Sequence, residues 1–268
     1  MYKVIISDLD GTLLNENHEL SEYTRDIIKK INNKEILFFF ATGRHFLDVF
    51  KLKKELGLTS SYSISSNGAR IHGLNGELLI SHNIMDEITN EILKTDMDIE
   101  IEGGACTDEK IYLINPKKMK IQSDTSDLLS EIYNKENMIL KNVMKIFYFS
   151  ENHDLLVKID KEIKSKYIEY IDTVFSHEKF LEIIPKHISK GYAIKEIAKL
   201  EGFNLSDVLA FGDGFNDFEM LSITGKGIIM ENASVDLKKV LPYNEIIGIN
   251  NDDAVAKYLE NLYLKDNS

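Results

Sequence analysis

The chain has 268 residues, room for one large domain or two ordinary ones, and its 43% hydrophobic and 28% charged content is that of a soluble globular protein. A formal net charge of -12 argues against non-specific nucleic-acid binding, which needs a basic footprint, and no apolar run approaches a membrane span. The one cysteine, Cys106, rules out an internal disulfide and a cysteine-cluster metal site. Cys106 reads as an ordinary small residue, because no activating partner stands near it in sequence. The first strand starts almost at the N-terminus, so no signal peptide is expected. These observations together predict a cytoplasmic protein with neither nucleic acid nor membrane as partner.

The first element is an apolar strand, Val4-Ile5-Ile6-Ser7, that ends in Asp8-Leu9-Asp10-Gly11-Thr12. Continuous apolar runs are typical of parallel strands buried on both faces, and open α/β sheets place ligands beyond the carboxyl ends of such strands. On an extended chain Asp8 and Asp10 point to the same side. Two unit charges ~4 Å apart repel by about 4 kcal/mol at an effective dielectric of roughly 20. One carboxyl is therefore protonated, or a cation sits between them, or both.

A helix is predicted over 21–32, with Ser21 as N-cap and Glu22 in its first turn. A second strand, Ile36 to Ala41, ends at Thr42-Gly43-Arg44, and a helix with Phe46, Val49, Phe50 and Leu52 follows. A third strand, Tyr62 to Ser65, ends at Ser66-Asn67-Gly68. The runs 69–72 and 77–81 flank Asn75-Gly76, a hairpin signal. This alternation predicts a parallel sheet with right-handed crossovers. The texture changes near His82. Helix 85–97, strands near 98–103 and 110–114, a helical stretch around 117–133, strand 143–149, helix 152–166 and strands 168–175 and 180–184 are predicted next. The first texture returns with helix 190–200 and the strand Val208-Leu209-Ala210-Phe211, which ends at Gly212-Asp213-Gly214-Phe215-Asn216-Asp217. Strands 227–230 and 245–248 alternate with helices around 233–240 and 252–263.

The expected fold class is α/β: a Rossmann-like core with a parallel sheet, residues 1–82 and 187–268, and an inserted α/β cap domain, residues 83–186. Strand ends and helix starts carry Asp8 and Asp10, Thr42, Lys190, and Asp213 and Asp217, all of which would converge on one sheet edge.

Alone, each group has a plain reading. Asp8-Leu9-Asp10-Gly11 could be a turn. It is no calcium loop, because Gly11 comes too early, and no G-x-G-x-x-G follows the first strand. Thr42 could cap a helix, and Lys190 could be a solvated lysine, although a helix start mildly disfavours a cation. Asp217 could be a first-turn acid and Asn216 a cap. Arg44 could bind substrate phosphate or pair with a surface acid. Asn67 sits where asparagine is common for backbone reasons, and Glu182 could be an ordinary strand acid. His45, His82, His177 and His187 have no metal-site spacing.

Taken together, D-x-D-G-T at Asp8, Thr42, Lys190 and G-D-x-x-N-D at Gly212 resemble the haloacid-dehalogenase-like hydrolases of the Cof type, which carry a type IIB cap. The likeness spans essentially the whole chain. The stretches SDLDGTLL, FATGRH, SNGAR, SKG and FGDGFND are similar to those of bacterial YigL-type pyridoxal phosphate and sugar phosphatases. The resemblance implies a Mg²⁺-dependent phosphatase acting on small phosphorylated metabolites, with pyridoxal phosphate and sugar phosphates the leading substrates. Asp8 would be the nucleophile that forms an aspartyl-phosphate. Asp10 would be the general acid/base and would start protonated, its pKa raised by a cramped, partly desolvated site beside Asp8. Asp8, the backbone carbonyl of Asp10 and Asp213 would hold Mg²⁺. Asp217 would hold a metal-bound water or steady Lys190. Thr42, Gly43, Lys190 and Asn216 would bind the phosphoryl group. Arg44, Asn67 and Glu182 are substrate candidates, Glu182 as a cap residue reaching sugar hydroxyls. Gly214 departs from the asparagine frequent in the family, and the cap around 103–107 is less similar to YigL-type caps. The rival expectations are a phosphomutase, a non-catalytic phosphometabolite-binding regulator and a dehalogenase. The expected partners are small-molecule phosphate esters, with the protein a monomer or small homo-oligomer.

Overall fold

The computed structural model describes residues 1–34, 36–58, 61–95, 98–116 and 129–265. The chain runs β1 (Val4–Ser7), α1 (Glu22–Asn32), β2 (Leu37–Ala41), α2 (Phe46–Leu56), β3 (Ser63–Ser65), β4 (Arg70–His72) and β5 (Leu78–Ser81). It continues through α3 (Asp86–Lys94), β6 (Glu102–Cys106), β7 (Lys110–Ile114), β8 (Leu129–Ile132), β9 (Lys145–Phe149), α4 (His153–Tyr167), β10 (Ile171–His177) and β11 (Phe180–Pro185). It ends with α5 (Lys190–Glu201), β12 (Val208–Gly212), α6 (Phe218–Ile223), β13 (Lys226–Met230), α7 (Val235–Val240), β14 (Glu245–Ile247) and α8 (Ala254–Tyr263).

The strands form two sheets. The first has the order β14-β13-β12-β1-β2-β3-β4-β5, parallel from β14 to β3 and antiparallel beyond. Its central strands β1, β2 and β12 are almost wholly buried, as their unbroken apolar runs require. Helix α1 turns Ile27, Ile28 and Ile31 inward, and the Ser21 hydroxyl accepts the Thr24 N–H at 3.0 Å to start it. In the first sheet Ser7 is level with Phe40 and Phe211, so Asp8 and Thr42 leave adjacent strands at the same edge.

The second sheet has the order β10-β11-β9-β6-β7-β8 and is antiparallel except at β7-β8. Helices α3 and α4 cover one face, burying Ile88, Ile92, Leu156, Ile159 and Ile163 against Ile146, Tyr148, Leu181 and Ile183. Side chains alternate along a strand, so Lys145 on β9 and Glu182 on β11 point to the opposite face. That face meets the carboxyl edge of the first sheet. Ala69, Cys106, Met144 and Ile188 form a small apolar cluster at this junction.

Several elements differ from the sequence expectation. Of the helical stretch around 117–133, residues 117–128 lie outside the described residues, and Leu129–Ile132 is strand β8. The strand expected near 98–103 begins at Glu102, because Asp98 closes a turn. Its carboxylate accepts the Glu100 N–H at 2.9 Å and its carbonyl accepts the Ile101 N–H at 3.0 Å. Helix α3 stops at Lys94, short of 97, and β10 starts at Ile171, later than 168, because α4 runs on to Tyr167. Helix α6 was not expected; its single apolar side, Met220 and Leu221, is too short to show a period.

Candidate active site

Asp8 is the first residue past β1 and is 5% exposed; its N–H donates to Phe211 O at 3.0 Å. Its Oδ1 lies 2.9 Å from the Lys190 ammonium, whose other carboxylate partner, Asp217 Oδ1, is at 2.6 Å. Lys190 has no exposed surface and is carried by the first turn of α5, where the Ser189 hydroxyl caps the helix by accepting the Tyr192 N–H. Gly68 makes this approach feasible. It sits at φ +101, and a β-carbon there would lie 2.2 Å from Ser189 O. Buried between two carboxylates, Lys190 stays charged: desolvation opposes the charge, and Asp217 and Asp8 outweigh it.

Asp217 has both oxygens committed. Oδ1 faces Lys190, and Oδ2 accepts the N–H groups of Asp213 and Gly214 at 2.9 and 3.0 Å. Asp217 thus touches Lys190 directly and also stands with Asp8 and Asp213 in one carboxylate group. Asp213 accepts the Thr12 hydroxyl at 2.7 Å. Gly11, at φ +74, lets the loop after β1 pass against Asp213, because a β-carbon there would stand 2.3 Å from Asp213 Oδ2.

One carboxylate oxygen from each of Asp8, Asp213 and Asp217 lies within 4.8 Å of the others. Burial, then the charge of Asp217, pushes Asp8 well above the usual carboxylate range, with Lys190 opposing. Burial and Asp217 likewise push Asp213 up to about 7. Crowded, desolvated carboxylates of this kind favour an added cation, and an all-oxygen donor set suits a hard divalent ion. The residues therefore fit a divalent metal.

Asp10 overturns its expected protonation. Two hydrogen bonds from Arg44, Nε to Oδ2 at 2.7 Å and Nη2 to Oδ1 at 2.5 Å, are joined by His18 Nδ1 at 2.8 Å. Burial alone would raise the carboxyl, but these partners outweigh it and hold Asp10 well below the usual range. Nor do Asp8 and Asp10 share one side. Asp8 is still extended, and the chain turns after it into a loop that the Leu14 N–H closes on Leu9 O at 2.9 Å, so each carboxylate finds its own cation. Arg44 thus pairs with Asp10, whose side chain is 42% exposed. A cleft of about 350 Å³ opens beside it, lined by Leu14, His18, Arg25, Arg44, Asp48 and Lys51 among others.

A third group surrounds Gly43. Thr42 is 1% exposed, and its Oγ1 accepts the Arg44 N–H at 3.2 Å. It is not a helix cap; His45 caps α2, its Nδ1 accepting the Leu47 N–H. Asn67 has the positive φ of 55° that explains an asparagine there, yet its side chain also works. Asn67 Nδ2 donates to Glu182 Oε2 at 2.7 Å, and its Oδ1 accepts Asn216 Nδ2 at 3.0 Å. Glu182 Oε1 holds the Lys145 ammonium at 2.5 Å, and Lys145 donates to Gly43 O at 2.9 Å. This chain of contacts ties the second sheet to the ends of β2, β3 and β12.

Sequence reasoning missed Thr12, His18 and Lys145. Thr12 lay inside the D-x-D-G-T motif and could have been found. His18, at φ 60°, and Lys145, a lone strand-start lysine, carried no local signal. Cys106 is buried, and burial pushes its thiol up to about 11, so its plain reading holds. Among the described residues no histidine joins the carboxylate cluster.

Residues 5–259 match the family of haloacid dehalogenase-like hydrolases. A candidate phosphatase of Buchnera aphidicola subsp. Baizongia pistaciae is 38% identical over 268 residues, spanning 99% of this chain and 100% of that protein. The HMP-PP phosphatase of Escherichia coli O6:H1 is 32% identical over 260 residues, spanning 97% of this chain and 95% of its own length. A solved haloacid dehalogenase-like hydrolase from B. subtilis has a TM-score of 0.84 at 26% identity, covering 98% of this chain and 100% of that one.

Proposed function

Since the chain belongs to the haloacid dehalogenase-like hydrolases and is a phosphatase, we propose that it is a Mg²⁺-dependent phosphomonoesterase of small phosphorylated metabolites, working through an aspartyl-phosphate on Asp8. The observation that carries the proposal is the state of Asp8. Lys190 clamps Oδ1 in a buried site, which leaves Oδ2 as the attacking atom. Thr42, Lys190 and nearby backbone N–H groups receive the phosphoryl oxygens, where charge spreads in the transition state. Mg²⁺, held by Asp8, Asp213 and the Asp10 carbonyl, would supply charge neutralisation for the phosphoryl group. Freed from Arg44, Asp10 takes a proton from solvent before the first step, gives it to the leaving oxygen and, ionised again, takes a proton from the attacking water.

Residues 83–186 act in this reading as a cap over the site, with Glu182 and Asn67 at the boundary where a leaving group would lie. The substrate set extends from pyridoxal phosphate and sugar phosphates to HMP-PP, the last because of the E. coli relative's name.

The test is hydrolysis of 4-nitrophenyl phosphate with and without Mg²⁺, followed by kcat/KM for a panel holding pyridoxal phosphate, hexose phosphates and HMP-PP. Turnover that needs Mg²⁺ and falls by roughly a thousandfold or more in Asp8→Asn is expected. An Asp8→Asn variant with wild-type turnover would overturn the mechanism.

A further inference from the structure

We propose that Lys145 is a positioning residue that sets the Thr42 hydroxyl for phosphate binding through the Gly43–Arg44 peptide; the inference rests on the phosphatase reading above.

The Lys145 ammonium donates to Gly43 O at 2.9 Å, and the N–H of the same planar peptide, that of Arg44, donates to Thr42 Oγ1 at 3.2 Å. A charged donor on a carbonyl polarises the whole peptide and strengthens the donor at its other end. A hydroxyl that accepts a hydrogen bond keeps its own proton to give. Among the described residues no hydrogen bond consumes the Thr42 proton, and Thr42 is 1% exposed, so water does not compete for it freely. The peptide therefore turns Thr42 into a fixed donor beside Asp8.

Lys145 belongs to β9 of the second sheet, while Thr42 and Gly43 lie just past the end of β2 in the first. Its ammonium is held charged and in place by Glu182 at 2.5 Å, and Glu182 is anchored through Asn67. The side chains of the pair are 12% and 7% exposed. The Thr42 donor is thus fully set only while the second sheet sits on the first, which couples the phosphate grip to the position of the cap.

A double-mutant cycle tests this. Binding of inorganic phosphate in the presence of Mg²⁺ is measured by calorimetry for wild type, Lys145→Met, Thr42→Val and the double variant. Lys145→Met is expected to weaken phosphate binding about tenfold in the wild-type background and less than about twofold in Thr42→Val. Lys145→Arg is expected to recover most of the loss. Lys145→Met/Glu182→Gln, which leaves no lone buried charge, replaces Lys145→Met if that variant does not fold. The Arg44 amide proton resonance in the free protein gives a second readout, and it moves upfield in Lys145→Met. An equal loss in both backgrounds, no loss at all, or an unmoved Arg44 amide overturns the inference. If wild type neither binds phosphate nor hydrolyses 4-nitrophenyl phosphate, the phosphatase reading itself has failed; if it does both, only the role of Lys145 is at stake.

Discussion

At the scale of single residues, Arg44 decides what Asp10 can do. An ionised Asp10 can take a proton from water, and it must first gain one to serve a poor leaving group. Asp10→Asn is therefore expected to spare the first step with an aryl phosphate, whose leaving group departs unprotonated, and to block the second. Stopped-flow mixing with 4-nitrophenyl phosphate should show a stoichiometric burst followed by turnover slowed about a hundredfold or more. His72 carries a prediction about pH. Burial lowers it from 6.5 to about 4, and its ring stacks on Phe46 at 3.4 Å. A depressed folded pKa favours the neutral ring, so its contribution is full above the unfolded pKa and is lost as pH falls toward 4. Between about pH 7 and about pH 5 the His72 share of stability should fall by on the order of 2 kcal/mol, read as the difference between wild type and His72→Gln in urea unfolding, because the raised carboxyl of Asp213 works the other way in both proteins. The protonation of Asp10 was misread from sequence because its partner Arg44 stands 34 residues away.

At the scale of elements, Arg70 pins the junction of the two sheets. It leaves β4 fully buried and donates to Ala69 O, His82 O, Asn83 Oδ1 and both Asp108 oxygens in the β6–β7 turn. Arg70→Met should cost about 3 to 5 kcal/mol, because it strands buried carbonyls that held a charge. Asp108→Asn, at a side chain 45% exposed, should cost less than about 1 kcal/mol. Denaturant midpoints at equal m-value give both numbers. Elements with long clear patterns, such as α1, β2 and β12, were legible in the sequence. Strand β6 was not, because Gly103 and Gly104 give it no alternating apolar face and its edge is drawn by the Asp98 turn.

At the scale of the whole molecule, the parallel sheet gathers groups from both ends of the chain, so four scattered motifs predicted one site. The contacts that cross between sheets were not legible, since Lys145 and Gly43 are 102 residues apart and nothing local marks the pair. A cation held at Asp8 and Asp213, as proposed above, would also stabilise the folded state. Mg²⁺ at about a hundred times its Kd should stabilise the fold by about 2.7 kcal/mol, seen as a rise in Tm that Asp213→Asn abolishes. An unchanged Tm would place the ion elsewhere. The measurement closest to the central claim is acid quench during steady hydrolysis of 4-nitrophenyl phosphate, followed by peptide mass analysis. The account predicts one added phosphoryl group on the peptide that contains Asp8, absent in Asp8→Asn. Full turnover with the phosphoryl group on another residue, or on none, would contradict it.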